Sequence, residues 1–212
     1  MSGAGSPWTG RWSYGGRTMS DHPYDERELP PALGLVLDEG RGALPYALIH
    51  GEALVACAAW ALGDAGVTPV DVGVPWSSLQ TVDEAVVLHD ALCPMTPAAF
   101  IAECVERSLA HDAVVVAVRP VTDTVKRVEG GLVGETVDRE GLVAPSSPVV
   151  LPPSVVQALD DFPGHDLAAI GARLRERHVI ETVEAPPEAR RVTSAEEIAL
   201  LEALTGEAPR PF

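Results

Sequence analysis

Basic charge is scarce in this sequence. Lysine occurs once, at Lys126, and Lys plus Arg total 15 against 31 Asp plus Glu, a formal net charge of −16. An extended nucleic-acid surface is excluded by that balance, because phosphate backbones are bound through Lys and Arg. Adsorption to an anionic membrane surface is excluded for the same reason. A small pocket for one phosphorylated ligand is not, since it needs only a few positive groups. Cysteine is also sparse. Cys57, Cys93 and Cys104 form no C-x-x-C pair and lie in apolar surroundings, so they read as buried thiols in a reducing compartment. No apolar run reaches the roughly 18 residues of a membrane span. A signal peptide's charged start, apolar centre and cleavage site are missing, and cytoplasmic residence is the expectation.

What is present fits one α/β domain. The chain has 212 residues, 46% hydrophobic and 22% charged, which is ordinary globular composition. Residues 1–28 are rich in Gly, Ser, Trp and Tyr without an apolar period and are expected to be a disordered leader, with Met19 an alternative start. A peptide-binding motif at Trp8, Trp12 and Tyr14 is the competing reading of that stretch. Residues 29–212 are expected to form the domain.

Within it, Leu33–Leu37 reads as a buried strand turning at Asp38-Glu39-Gly40-Arg41-Gly42. Leu54–Ala65 reads as a helix closed by Gly66. Val70–Val74 and Ala85–Leu88 read as strands, the latter ending at His89-Asp90. Thr96-Pro97 carries the N-cap and N1 signature of a helix running to about Ala110, and Ala113–Val118 is the clearest buried strand. Alternation of this kind implies a Rossmann-like, mostly parallel sheet with helices on both faces. From about 120 to 148 the helical period stops, and short β-like pieces suggest a projecting β-arm. Helices are expected at Pro153–Asp161, at Leu167–Arg177 and from Ser194, where Ser194 and Glu197 form a capping box. A strand is expected at Val179–Val183.

Ligands of open parallel sheets bind beyond the carboxyl ends of the strands. The Gly40/Gly42 loop, His89-Asp90 and the segment after Val118 all lie at that end. A Gly-x-Gly turn there is either a close approach for phosphate or only a tight turn. Asp90 is either a carboxylate for Mg²⁺ or a turn or capping aspartate.

The arm is more specific. Pro120-Val121-Thr122-Asp123-Thr124-Val125-Lys126-Arg127, followed by Thr136-Val137-Asp138-Arg139-Glu140-Gly141-Leu142, resembles the 2-C-methyl-D-erythritol 4-phosphate cytidylyltransferase family. Val87-Leu88-His89-Asp90-Ala91 and Arg191-Val192-Thr193 resemble two further motifs of that family, in the same order. The resemblance implies a nucleotidyltransferase that moves CMP from CTP onto methylerythritol phosphate and releases pyrophosphate, on the non-mevalonate route to isoprenoid precursors. It implies a homodimer held through the β-arm. It further implies that Gly40, Gly42 and Asp90 face the nucleotide, with Asp90 on Mg²⁺. Thr124, Arg139, Ser147 and Arg191 would face the methylerythritol phosphate, and Arg191 and Asp90 would serve catalysis. Arg191 stands where the family has a lysine, keeping the charge but not the compact ammonium.

The resemblance breaks at the first loop. The family's arginine and lysine positions there are Leu44 and Tyr46, and its two alanines are Asp38 and Glu39. Cations at those positions normally offset the charge that builds on the phosphates, and losing one such donor typically slows turnover by about 10²–10³. Arg41, inside the loop, is a compensating charge without a fixed family role. Only nine residues, Trp76–Glu84, remain where the family has a longer cytidine-recognising segment, and the arm's exit reads Ser146-Ser147-Pro148. A later threonine–aspartate–aspartate is reduced to His165-Asp166. Two functional readings result: a divergent working cytidylyltransferase, or a non-catalytic paralogue that keeps the fold and the arm as a dimeric binding or regulatory protein. Altered chemistry on another sugar phosphate has no positive signal.

Overall fold

Period-two apolar runs make the sheet, because each strand must present one row of side chains to either face. The computed structural model describes residues 30–71, 73–121, 125–130, 132–138 and 142–206. The expected leader lies outside them, as do Thr124 and Arg139. In chain order the elements are β1 (Ala32–Leu37), β2 (Leu48–Ile49), β3 (Glu52–Ala53), α1 (Leu54–Asp64), β4 (Thr68–Pro69), α2 (Trp76–Leu79), β5 (Ala85–Asp90) and α3 (Ala98–His111). They continue with β6 (Val114–Pro120), β7 (Val125–Glu129), β8 (Leu132–Val137), β9 (Val143–Leu151), α4 (Pro153–Ala158), α5 (Leu167–Leu174), β10 (Ile180–Glu184) and α6 (Ala195–Thr205).

The main sheet has the order β10-β6-β9-β5-β1-β4. All neighbours are parallel except β9, which runs antiparallel between β5 and β6. Ala85, Val87, Val115 and Ala117 face one core layer with α1 and α3. Val86, Leu88, Val114 and Val116 face the other, with α2, α4 and α5. The doubly covered, mostly parallel sheet is therefore the architecture expected. Among the described residues no helix is long and apolar enough to cross a membrane.

Several elements differ from expectation. The strand expected at Val70–Val74 is replaced by the two-residue β4 just before it, after which the Val70 N–H donates to Gly34 O at 2.7 Å. The Trp76–Glu84 link contains α2, held because the Gln80 side-chain amide and the Trp76 indole N–H both donate to Leu159 O. Thr96 does not cap α3: its hydroxyl donates to Cys93 O at 2.9 Å, and Pro97 is the N-cap. Ser194 accepts from Glu197 N, but the Glu197 carboxylate reaches back one residue further than in a capping box, to Thr193 N and Oγ1.

The arm is divided. β7 and β8 pair as a separate hairpin, whereas its exit strand β9 enters the core. Val118 pairs with Pro145 and Val116 with Val149, so three residues, 146–148, stand opposite Ala117 alone. Such a bulge turns side chains that a regular ladder would point elsewhere. The Ser147–Pro148 peptide within it is cis.

Candidate active site

Parallel pairing of β1 with β5 sets Leu37 beside Asp90, so the loop after β1 and the end of β5 share one edge of the sheet. Gly40 and Gly42 have φ of +77° and +60°, in the left-handed region that favours glycine. Arg41 lies between them, and its side chain folds back onto Asp90. Nε donates to Oδ1 at 2.7 Å and Nη2 to Oδ2 at 2.9 Å, a bidentate fork. Nη2 also donates to His165 O and Nη1 to Glu39 O. Arg191 arrives from the far end of the chain because its neighbour Val192 is fully buried and its N–H donates to Leu92 O at 2.8 Å. Arg191 Nε donates to Asp90 Oδ2 at 3.0 Å.

Asp90 is thus the hub of the site. Burial alone would raise its pKa, but hydrogen bonds from Arg41, Leu92 N and Arg191 outweigh that and hold the carboxyl below its usual range. The hub is braced from beneath. The Ser147 hydroxyl, turned inward by the bulge, accepts from Asp90 N at 2.9 Å and meets His89 Nδ1. The hydroxyl keeps a second lone pair and its own proton for Nδ1, so the imidazole tautomer sets which of the two groups donates. His89 is fully buried, and desolvation lowers its pKa to about 4 against the opposing pull of the Asp90 charge. Cys93, beneath the same edge, is pushed up to about 12, chiefly by burial, and is a protonated thiol rather than a nucleophile.

Above the hub opens a cleft of about 500 Å³, bordered by Gly40, Arg41, Asp90, Ser146, Asp166 and Arg191 among others. Gly40, Asp90 and Arg191, expected to share a site, do converge there. Ser147 lies behind it, with its hydroxyl committed to His89 and Asp90. Leu44 packs into the apolar cluster of Ile49, Leu54, Val192 and Leu201, and Tyr46, 63% exposed, donates its hydroxyl to Asp38 Oδ2 at 3.2 Å. Glu39 instead pairs with His165 Nε2 at 2.8 Å. The His165-Asp166 remnant also acts structurally, since Asp166 caps α5 by accepting from Ala168 N and Ala169 N.

Arg41 is the residue whose importance sequence reasoning underrated. A usable signal existed: an arginine inside a Gly-x-Gly loop after one strand, and an aspartate ending the next strand of a parallel pair.

An ionised carboxylate offers about four lone-pair sites. At Asp90, Oδ1 accepts Arg41 Nε and Leu92 N, and Oδ2 accepts Arg41 Nη2 and Arg191 Nε. As arranged, Asp90 does not fit Mg²⁺. Nor do the described residues contain any group of three or more His, Cys, Asp or Glu side chains placed to hold a metal.

Comparison with known proteins agrees with the architecture and the motifs. The family model of 2-C-methyl-D-erythritol 4-phosphate cytidylyltransferase (IspD) matches residues 65–205. The chain belongs to the IspD family. The matched stretch takes in Asp90, the arm and Arg191, and it begins after the loop that carries Arg41. An IspD relative named 2-C-methyl-D-erythritol 4-phosphate cytidylyltransferase, from Corynebacterium efficiens, is 35% identical over 144 residues, 63% of this chain and 58% of that protein. One of the same name from Geotalea uraniireducens is 34% identical over 105 residues, 46% of this chain and 45% of that protein. The chain thus spans about half the length of the curated IspD relatives it matches. The crystal structure of the Thermus thermophilus enzyme superposes with a TM-score of 0.61 at 20% identity, over 82% of this chain and 98% of that one, a likeness of fold.

Proposed function

We propose that this IspD-family chain keeps the cleft above Asp90 as a site for a small phosphorylated ligand, and that its transfer of CMP from CTP to methylerythritol phosphate is impaired or lost. One observation carries the reading: among the described residues, both arginines that line the cleft are engaged on a single carboxylate, Asp90. Two guanidiniums and one carboxylate leave a net charge of +1 in this cluster, facing Glu39 and Asp166 on the rim. The positions that would add cations, Leu44 and Tyr46, face the core and Asp38 instead. Electrostatic stabilisation is the main catalytic term in phosphoryl and nucleotidyl transfer, so a cleft this poor in free positive charge handles a triphosphate badly.

A working cytidylyltransferase is the second reading. It is favoured by Arg191, 43% exposed, which engages Asp90 through Nε and keeps its terminal nitrogens for a ligand. The non-catalytic form of the proposal makes the protein a dimeric binding or regulatory partner. It is supported by the β7–β8 hairpin, whose strands pair only with each other among the described residues. Residence in the cytoplasm goes with either form.

The test is a pyrophosphate-release assay with CTP, methylerythritol phosphate and Mg²⁺, beside calorimetric titration of CTP and with the Corynebacterium efficiens relative as reference. Turnover at least about 10²-fold below the reference is expected. Turnover comparable to the reference overturns the proposal.

A further inference from the structure

We propose that Arg41 stands on Asp90 in place of a divalent cation, so that this cleft receives its phosphorylated ligand without Mg²⁺. The proposal rests on the reading above for the ligand, but not for the metal. Mg²⁺ is held through one or two carboxylates plus ligand phosphates, in near-ideal octahedral geometry. Such a site needs a carboxylate oxygen with a free lone pair directed into the cleft. Asp90 has none to offer, because Arg41, Arg191 and Leu92 N already fill both oxygens.

The occupant is not easily displaced. The Arg41 side chain is 8% exposed and that of Asp90 3%. Pulling the fork away would strip a largely buried guanidinium of its carboxylate partner and leave Asp90 to Arg191 and Leu92 N alone, a costly loss for a buried ion pair. Arg41 is also tethered from its other edge, at Glu39 O and His165 O, by 2.6 and 2.8 Å hydrogen bonds. Both carbonyls belong to the walls of the cleft, so the guanidinium joins its two sides across Asp90. A guanidinium stays charged at every working pH. It contributes one positive charge where a divalent ion would contribute two, which suits a ligand carrying a single phosphate better than one carrying three.

The experiment titrates the full-length protein with Mn²⁺, read by the electron paramagnetic resonance signal of the free ion. No saturable Mn²⁺ binding is expected for the wild type. Arg41→Gln is expected to gain a single saturable site, and adding Asp90→Asn to that variant is expected to abolish it. Saturable wild-type binding that disappears in Asp90→Asn overturns the proposal without relying on how Arg41→Gln folds. An Arg41→Gln protein that is folded by circular dichroism yet gains no site also overturns it.

Calorimetry with inorganic phosphate, in EDTA and then in Mg²⁺, covers the ligand. Equal affinity in both supports metal-free binding, and Mg²⁺-dependent tightening refutes it. Absence of binding in both overturns the ligand half together with the phosphate-site reading. The Mn²⁺ result decides metal exclusion in either case.

Discussion

His89 and Asp90 are adjacent and both buried, yet the site treats them oppositely. Asp90 is kept ionised by two arginines, while His89 is kept neutral by burial, with its pKa lowered to about 4. In the unfolded chain the imidazole titrates near 6.5. As pH falls from about 6.5 to about 4, the unfolded state therefore takes up a proton that the folded state refuses. Stability from this residue is complete above pH 6.5 and lost on acidification through that window. The shift is equivalent to about 3 kcal/mol. Urea unfolding at pH 7 and pH 4.5 is expected to show this loss in the wild type and a shallower pH dependence in His89→Gln. Equal slopes in the two proteins would refute it. Asp90 was legible as a site residue because it ends a buried strand. The role of Arg41 was harder to read, since its partner lies 49 positions away and only the parallel pairing of β1 with β5 joins the two.

The elements show where local pattern is sufficient and where it fails. β1, β5 and β6 are evident in the residues because an uninterrupted apolar run specifies each, and α6 because Ser194 marks its start. β9 is not, because Pro145, Ser146, Ser147 and Pro148 read as a break while the strand passes through them as a bulge. That bulge delivers Ser147 to the back of the site. β4 was misplaced because pairing with β1 ends two residues after it begins, so the apolar residues that follow pack without a ladder. Gly34, mid-strand in β1, has a packing role. A Cβ there would lie 2.8 Å from Val67 Cγ1 and 2.9 Å from Leu62 Cδ1. Gly34→Ala is expected to destabilise the protein by about 1–3 kcal/mol through overpacking, read as a lower urea midpoint at unchanged slope. An unchanged midpoint would mean that Val67 and Leu62 yield freely.

Across the whole molecule, resemblance of motif and physics of charge point in different directions, and both are visible. The family model spans Asp90, the arm and Arg191, whereas the first loop lies before the matched stretch. The dimer proposed above belongs to this scale. Sedimentation velocity of the full chain is expected to show twice the chain mass at micromolar concentration, and a monomer there would remove the arm's assembly role.

The three strands of chain that meet at Asp90 also bear on how the molecule assembles. Arg41 lies 49 residues before it and Arg191 101 residues after it. Closing loops of that length costs chain entropy that a local turn does not. The carboxylate therefore acts as a noncovalent staple between segments that β1–β5 pairing and the packing of Val192 bring to one edge. The edge that would meet a ligand is thus also where distant parts of the described chain are tied together.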